Sequence, residues 1–206
     1  VAGGHYDGHD ISQAAQDNGA STAALVEAAR LLSPLRGHLK AGLRFALFSG
    51  EELGLHGSYA YAKAHGAEFD DVRVMVMPGE DRSPLNGMNV EFVEGNLLDP
   101  ASLVRAVQGV EQLYHLAALF AIWTKDPDLH FKINVDGARS MMEAAQAAGV
   151  QKIVFTSSVA AIGIVGNGGL ATEKTAFNSW PWASDYILSK FISHQMVKGM
   201  VSDGLP

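Results

Sequence analysis

The stretch Leu43–Ala64, LRFALFSGEELGLHGSYAYAKA, sets the frame for the whole chain. Leu43–Phe48 is a continuous apolar run, as a strand covered on both faces requires. Gly50, Gly54 and Gly57 punctuate the residues after it, and the Ala-rich run Leu53–His65 reads as a helix. Strand, glycine turn and helix make the kind of βα turn that binds phosphate at a helix N-terminus. Glu51 and Glu52 stand at the end of this strand. A phosphate site disfavours them, and a two-metal hydrolase needs such carboxylates. At ~4–6 Å and an effective dielectric of about 20, each would repel a phosphate charge by roughly 3–4 kcal/mol before screening.

The alternation continues downstream. Val72–Met77, Val90–Val93, Glu111–Leu116 and Lys152–Thr156 are short strand-like runs. Ala101–Val107, Pro127–Ala148 and Asp185–Val201 read as helices, and Ser21–Leu32 as an earlier one ended by Pro34 and Gly37. The pattern predicts an α/β class: a three-layer αβα, Rossmann-like, mostly parallel sheet of about five strands. The expected order across it is Val90, Val72, Leu43, Glu111, Lys152. The stub Val1–Gly4 competes with the Glu111 strand for a place beside Leu43, so it is expected to be displaced or irregular.

At 206 residues, 48% hydrophobic and 18% charged, the chain reads as one well-cored domain. A net charge of −7 leaves no basic stripe for nucleic acid. No apolar run reaches the roughly 20 residues that span a bilayer. The expectation is a soluble protein with no nucleic-acid or membrane partner, cytoplasmic if made as it stands. The absence of cysteine excludes disulfides and thiolate metal sites.

Five of the eight histidines precede residue 70. His5-x-Asp7, Asp17-Asn18-Gly19-Ala20-Ser21 and Glu51-Glu52-Leu53-Gly54-Leu55-His56-Gly57-Ser58 come one after another at strand ends and turns. In that order they resemble the co-catalytic two-zinc aminopeptidases over about the first 70 residues. The resemblance implies His5 as a zinc ligand oriented by Asp7, Asp17 as the bridging carboxylate, Glu51 as general base and Glu52 as ligand to the second metal. The family's further Asp on the next strand is Val76 here, and no later segment resembles its terminal His region.

From Val72 onward the motifs change. VRVMVMPGEDRSPLNGMNVEFVEGNLLDPASL, His115-Leu116-Ala117-Ala118, Asn134-Val135-x-Gly137, Thr156-Ser157-Ser158 and Tyr186-Ile187-Leu188-Ser189-Lys190 resemble the extended short-chain dehydrogenases/reductases, near the sugar epimerase and dihydroflavonol-reductase-like branch. The resemblance implies Tyr186 as acid/base, Lys190 lowering its pKa and holding the nicotinamide ribose, and Ser158 orienting the substrate. Cofactor contacts would fall on Gly50, Gly54, Gly57, Asn96, Leu97, Ala117, Asn134 and Lys190. The family's first strand and its G-x-x-G-x-x-G turn should precede Val72; Leu43–Ala64 stands there, with its glycines one residue further apart. Asn96 takes the place of an acidic residue, and Met77 the place of an Asp or Arg that selects the ribose form.

The two resemblances meet around residues 65–77, and neither active site is whole in the sequence. The expectation is therefore a recombined or engineered scaffold without turnover, a single α/β domain peptidase-like over residues 1–70 and dehydrogenase-like over 71–206, the latter lacking its first strand, sixth strand and substrate domain. The alternatives are an NAD(P)-dependent oxidoreductase or epimerase and a zinc-dependent aminopeptidase-like hydrolase. The scaffold requires no cofactor, with room for weak NAD(P) or for one divalent ion such as zinc on His5, Asp17 and Glu52. An exposed sheet edge suggests a homodimer.

Overall fold

In this computed structural model the described residues are 71–206 apart from 122, 167 and 168, together with 2–5, 45–48, 26, 29, 30 and 34. The chain divides into two compact units, one of Val1–Arg73 with Asp81–Glu91, the other of Val74–Glu80 with Phe92–Pro206.

In the first unit, β1 (Ala2–His5) pairs in parallel with β2 (Phe45–Phe48), with Ala2 opposite Phe45 and His5 opposite Phe48. This corrects the expectation that the N-terminal stub is displaced. A strand has two hydrogen-bonding edges, and β1 fills one edge of β2. Val26, Ala29 and Arg30 are helical, inside the expected helix.

The boundary between the units runs through β3 (Val72–Val76) and β4 (Val90–Glu94), which pair with each other. In the second unit, β5 (Gln112–His115) and β6 (Lys152–Phe155) pair in parallel, with His115 opposite Phe155. Among the described residues the pairings are β1 with β2, β3 with β4 and β5 with β6.

Helix α1 (Pro100–Val107) starts where Asp99 accepts a hydrogen bond from the Ala101 N–H, with Pro100 supplying a pre-set φ in the first turn. It buries Leu103, Ala106 and Val107. A second helical rod begins as α2 (Leu129–Phe131), widens into a π segment over Lys132–Gly137 and continues as α3 (Ala138–Ala147). Gly137 sits where this rod meets Leu97: a Cβ there would lie 2.7 Å from the Leu97 Cβ. The last helix, α4 (Asp185–Ser202), is capped by Ser184, whose hydroxyl accepts from the Ile187 N–H.

Leu97, Leu103, Val107, Met141, Met142, Val197 and Leu205 form the core, with Met75, Leu113, Ile153 and Phe155 packed against it from the strands. Helix α4 joins through a polar seam. Ser189 and Ser193 are fully buried, and their hydroxyls donate to the Tyr186 and Lys190 carbonyls one turn back. Small self-satisfied side chains let α4 approach the rod closely without stranding a polar group. Among the described residues no helix is long and apolar enough to cross a membrane.

Candidate active site

Tyr186 and Lys190 lie one turn apart on α4 and so share a face. Lys190 is only 5% exposed. Its Nζ donates to the Thr156 carbonyl at 3.1 Å, just past the end of β6. It also stands 5.5 Å from the centroid of the Phe155 ring. Burial lowers the pKa of this ammonium from its ordinary value.

Beneath it, Phe155 stacks on His115, with centroids 5.5 Å apart and planes 7° apart. The pair is a direct product of the β5–β6 register. His115 is buried, and that burial, aided by the charge of Lys190, lowers its pKa to about 4. It is thus a neutral ring at neutral pH, and Lys190 is the single cation of this cluster.

Ser158 comes two residues after Thr156 and caps the 3-10 turn Val159–Ala161, its hydroxyl accepting from the Ala160 N–H at 3.2 Å. Ser157 pairs instead with Nδ1 of His194 on α4 at 2.8 Å. Burial first, then Lys198 and Lys190, lowers the His194 pKa. A cavity of about 400 Å³ bordered by Ile162, Thr175, Phe177, His194 and Gln195 lies alongside, and neither Tyr186 nor Lys190 lines it.

Asn134 sits in the π segment, buried. Its Oδ1 accepts from the Leu119 N–H at 2.6 Å, and its Nδ2 donates to the Leu119 carbonyl and to Ser189 Oγ, each at 3.0 Å. Both amide hydrogens are used inside the protein, so Asn134 is a clasp between the segment after β5 and α4. Asn96 is likewise occupied locally, its Oδ1 accepting from the Leu98 N–H at 2.9 Å. Leu97 is a core side chain. Ala117 is exposed after β5.

Two residues near Tyr186 are not singled out by any motif. Phe120 meets the Tyr186 ring edge to face, with centroids 4.9 Å apart. His130 meets it from another side at 6.4 Å. Nε2 of His130 donates to the Ala121 carbonyl at 3.0 Å, which fixes its tautomer; Nδ1 is buried with no hydrogen-bond partner among the described residues. The spacing His130-x-x-x-Asn134 could have paired these two, since they lie on one helical face. Phe120 carries no such signal.

Gly50, Gly54, Gly57, Glu51, Glu52 and Asp17 lie outside the described residues, and only the backbone of His5 is described, in β1. Among the described residues no cluster of three or more His, Asp or Glu is arranged to hold a metal ion.

Two family models match. Peptidase family M28 matches residues 1–78, and the NAD dependent epimerase/dehydratase family matches residues 52–204. Their overlap, 52–78, contains the junction read from the motifs, and the pair of matches supports a two-part composition. The sterol demethylase protein B of Methylococcus capsulatus is 36% identical over 131 residues, which is 64% of this chain and 40% of that protein. The crystal structure of gox2253 shares 37% identity at a TM-score of 0.65, over 72% of this chain and 46% of the other. The UDP-glucose 4-epimerase of Thermus thermophilus, solved in complex with NAD, shares 25% identity at a TM-score of 0.60, over 71% and 48%. This chain thus spans less than half the length of each. These neighbours share the α/β Rossmann-type fold of the second unit. With a family model matching most of its length and the Tyr186–Lys190 turn set at the ends of β5 and β6, the chain belongs to the NAD dependent epimerase/dehydratase family.

Proposed function

We propose that this chain carries the catalytic residues of an NAD(P)-dependent oxidoreductase of the epimerase/dehydratase type, acting at a carbinol or carbonyl carbon. The observation that carries it is Lys190, a nearly buried cation tied to the Thr156 carbonyl one turn from Tyr186. The comparisons favour this reading over a scaffold without turnover.

The residues present fit a nicotinamide cofactor at its ribose end. Among the described residues the Lys190 ammonium makes one hydrogen bond, which leaves two of its three N–H donors for ribose hydroxyls. Lys190 and the backbone near Ala117 and Leu97 would hold the cofactor, with Asn134 acting indirectly as the clasp behind them. When bound, the nicotinamide accepts or supplies the hydride. Tyr186 takes the substrate hydroxyl proton at its Oη during oxidation and returns it during reduction. Ser158 would orient the substrate oxygen.

The test is NADH fluorescence on titration with protein. Binding is expected, weakened by Lys190→Met. No change in NADH emission at millimolar cofactor would sink the reading.

A further inference from the structure

The segment after β5 is held against the rod by three hydrogen bonds. Two join Leu119 to Asn134, and one joins the Ala121 carbonyl to His130. Phe120 lies between the two tethered residues. Its backbone is fixed from both sides, yet its side chain is 76% exposed. A phenyl ring left in water forgoes the stabilisation that burial would give. Here the ring is poised on the edge of Tyr186, with its plane 77° from that of the phenol. Trp123, also exposed, comes later in the same segment. A rigidly placed, water-facing aromatic beside an acid/base is a preorganised apolar wall, ready to cover one face of a ligand at little ordering cost.

We propose that Phe120 is a specificity-determining residue of the Tyr186 site, selecting substrates that present a flat apolar face, aromatic or alicyclic, beside the reacting carbon. The proposal rests on the reading of Tyr186 as acid/base, and a binding measurement separates the two. A substrate with such a face exchanges water against Phe120 for carbon–carbon contact. A small polyhydroxylated carbonyl compound gains nothing from the ring and must shed part of its hydration beside it.

The experiment tracks the ring signals of Tyr186 in the full 206-residue chain by NMR with labelled tyrosine, assigned through Tyr186→Phe. Acetophenone and dihydroxyacetone are the probes. Acetophenone should shift the Tyr186 signal, with an affinity roughly three- to tenfold weaker in Phe120→Ala. Phe120→Tyr, which keeps the flat ring, should bind it within about twofold of the parent chain. Dihydroxyacetone should bind Phe120→Ala at least as tightly as the parent chain. Equal acetophenone affinity in the parent and Phe120→Ala would overturn the proposal, as would failure of acetophenone to shift Tyr186 at all. If Phe120→Ala unfolds, Phe120→Leu takes its place, with the same weakening expected and unchanged affinity again overturning the proposal. Hydride transfer is read separately by NADPH absorbance. Its absence in the parent chain counts against the oxidoreductase reading, while the acetophenone comparison still decides the role of Phe120.

Discussion

The carboxamide of Asn134 donates to the hydroxyl of Ser189 at 3.0 Å, across 55 positions of sequence, and joins the π segment to the turn of α4 that carries Tyr186 and Lys190. The same side chain holds both backbone groups of Leu119. Asn134→Leu should therefore strand the Leu119 N–H and carbonyl and cost about 2–4 kcal/mol by urea unfolding. Ser189→Ala should cost about 1 kcal/mol. The double variant should show a coupling of at least about 0.5 kcal/mol. Strict additivity would mean that this hydrogen bond contributes nothing of its own.

His115 should make stability depend on pH. Its pKa falls from 6.5 to about 4 in the folded protein, through burial and the charge of Lys190. Between those values the unfolded chain binds a proton that the folded chain does not. Stability from this group is therefore complete above about pH 6.5 and is lost as pH falls toward about 4, by up to roughly 3 kcal/mol. His115→Phe should remove this component of the slope in urea unfolding between those two pH values. In Lys190→Met the His115 pKa, measured by NMR, should rise but stay below its ordinary value, because burial remains. A fall in that variant would contradict the assigned causes.

Gly163 and Gly166 offer a matched pair. A Cβ at Gly163 would run into the carbonyl oxygen of Ala176, whereas one at Gly166 meets nothing within 4 Å. Gly163→Ala should lower stability by about 1–3 kcal/mol, and Gly166→Ala should change it by less than about 0.5 kcal/mol. Thermal or urea melts of the two variants decide the matter. Equal effects would mean that the loop repacks around the new methyl group.

If the proposed function is right, Tyr186→Phe should lower kcat by about 10²–10⁴-fold while leaving NADH binding in place, since in that reading the phenol moves a proton and does not anchor the cofactor. Lys190→Met should depress both turnover and cofactor affinity. Stopped-flow hydride transfer with equilibrium NADH titration separates the two effects. A Tyr186→Phe variant with unchanged turnover would remove Tyr186 from the chemistry.

Much of the chain from Val72 onward is legible in its local patterns. The runs Val72–Met77, Val90–Val93, Glu111–Leu116 and Lys152–Thr156 become β3 to β6 within a residue at each end, and the helix expected over Asp185–Val201 runs over Asp185–Ser202. Tyr186 and Lys190 share a face because helical spacing alone puts them there. What eludes local reading depends on partners far along the chain. Nothing in Lys132–Gly137 announces a π segment. Its register is fixed by Leu119, which lies 15 positions before Asn134, and by Ser189, 55 positions after it. The same distance hides the role of Phe120, whose neighbours are set by tethers on both sides. The pairing of β1 with β2 eludes a reading based on competition for an edge, because β2 has two edges and β1 fills one of them.

The widened turn at Lys132–Gly137 has a further consequence, for helical phase. An α-helix advances about 100° per residue, and a π turn takes up roughly one extra residue at nearly constant direction. His130 just before it and Asn134 within it bond to Ala121 and Leu119 of the segment after β5; downstream, Met141, Met142 and Ala145 fill the core. One straight α-helix would have to serve both faces with a single stripe. The extra residue lets the two ends be oriented independently, so that residues facing the site can change without turning the methionines out of the interior. Deleting the exposed Asp136 would take out that residue and close the segment into an ordinary α turn, with both ends keeping the faces they present.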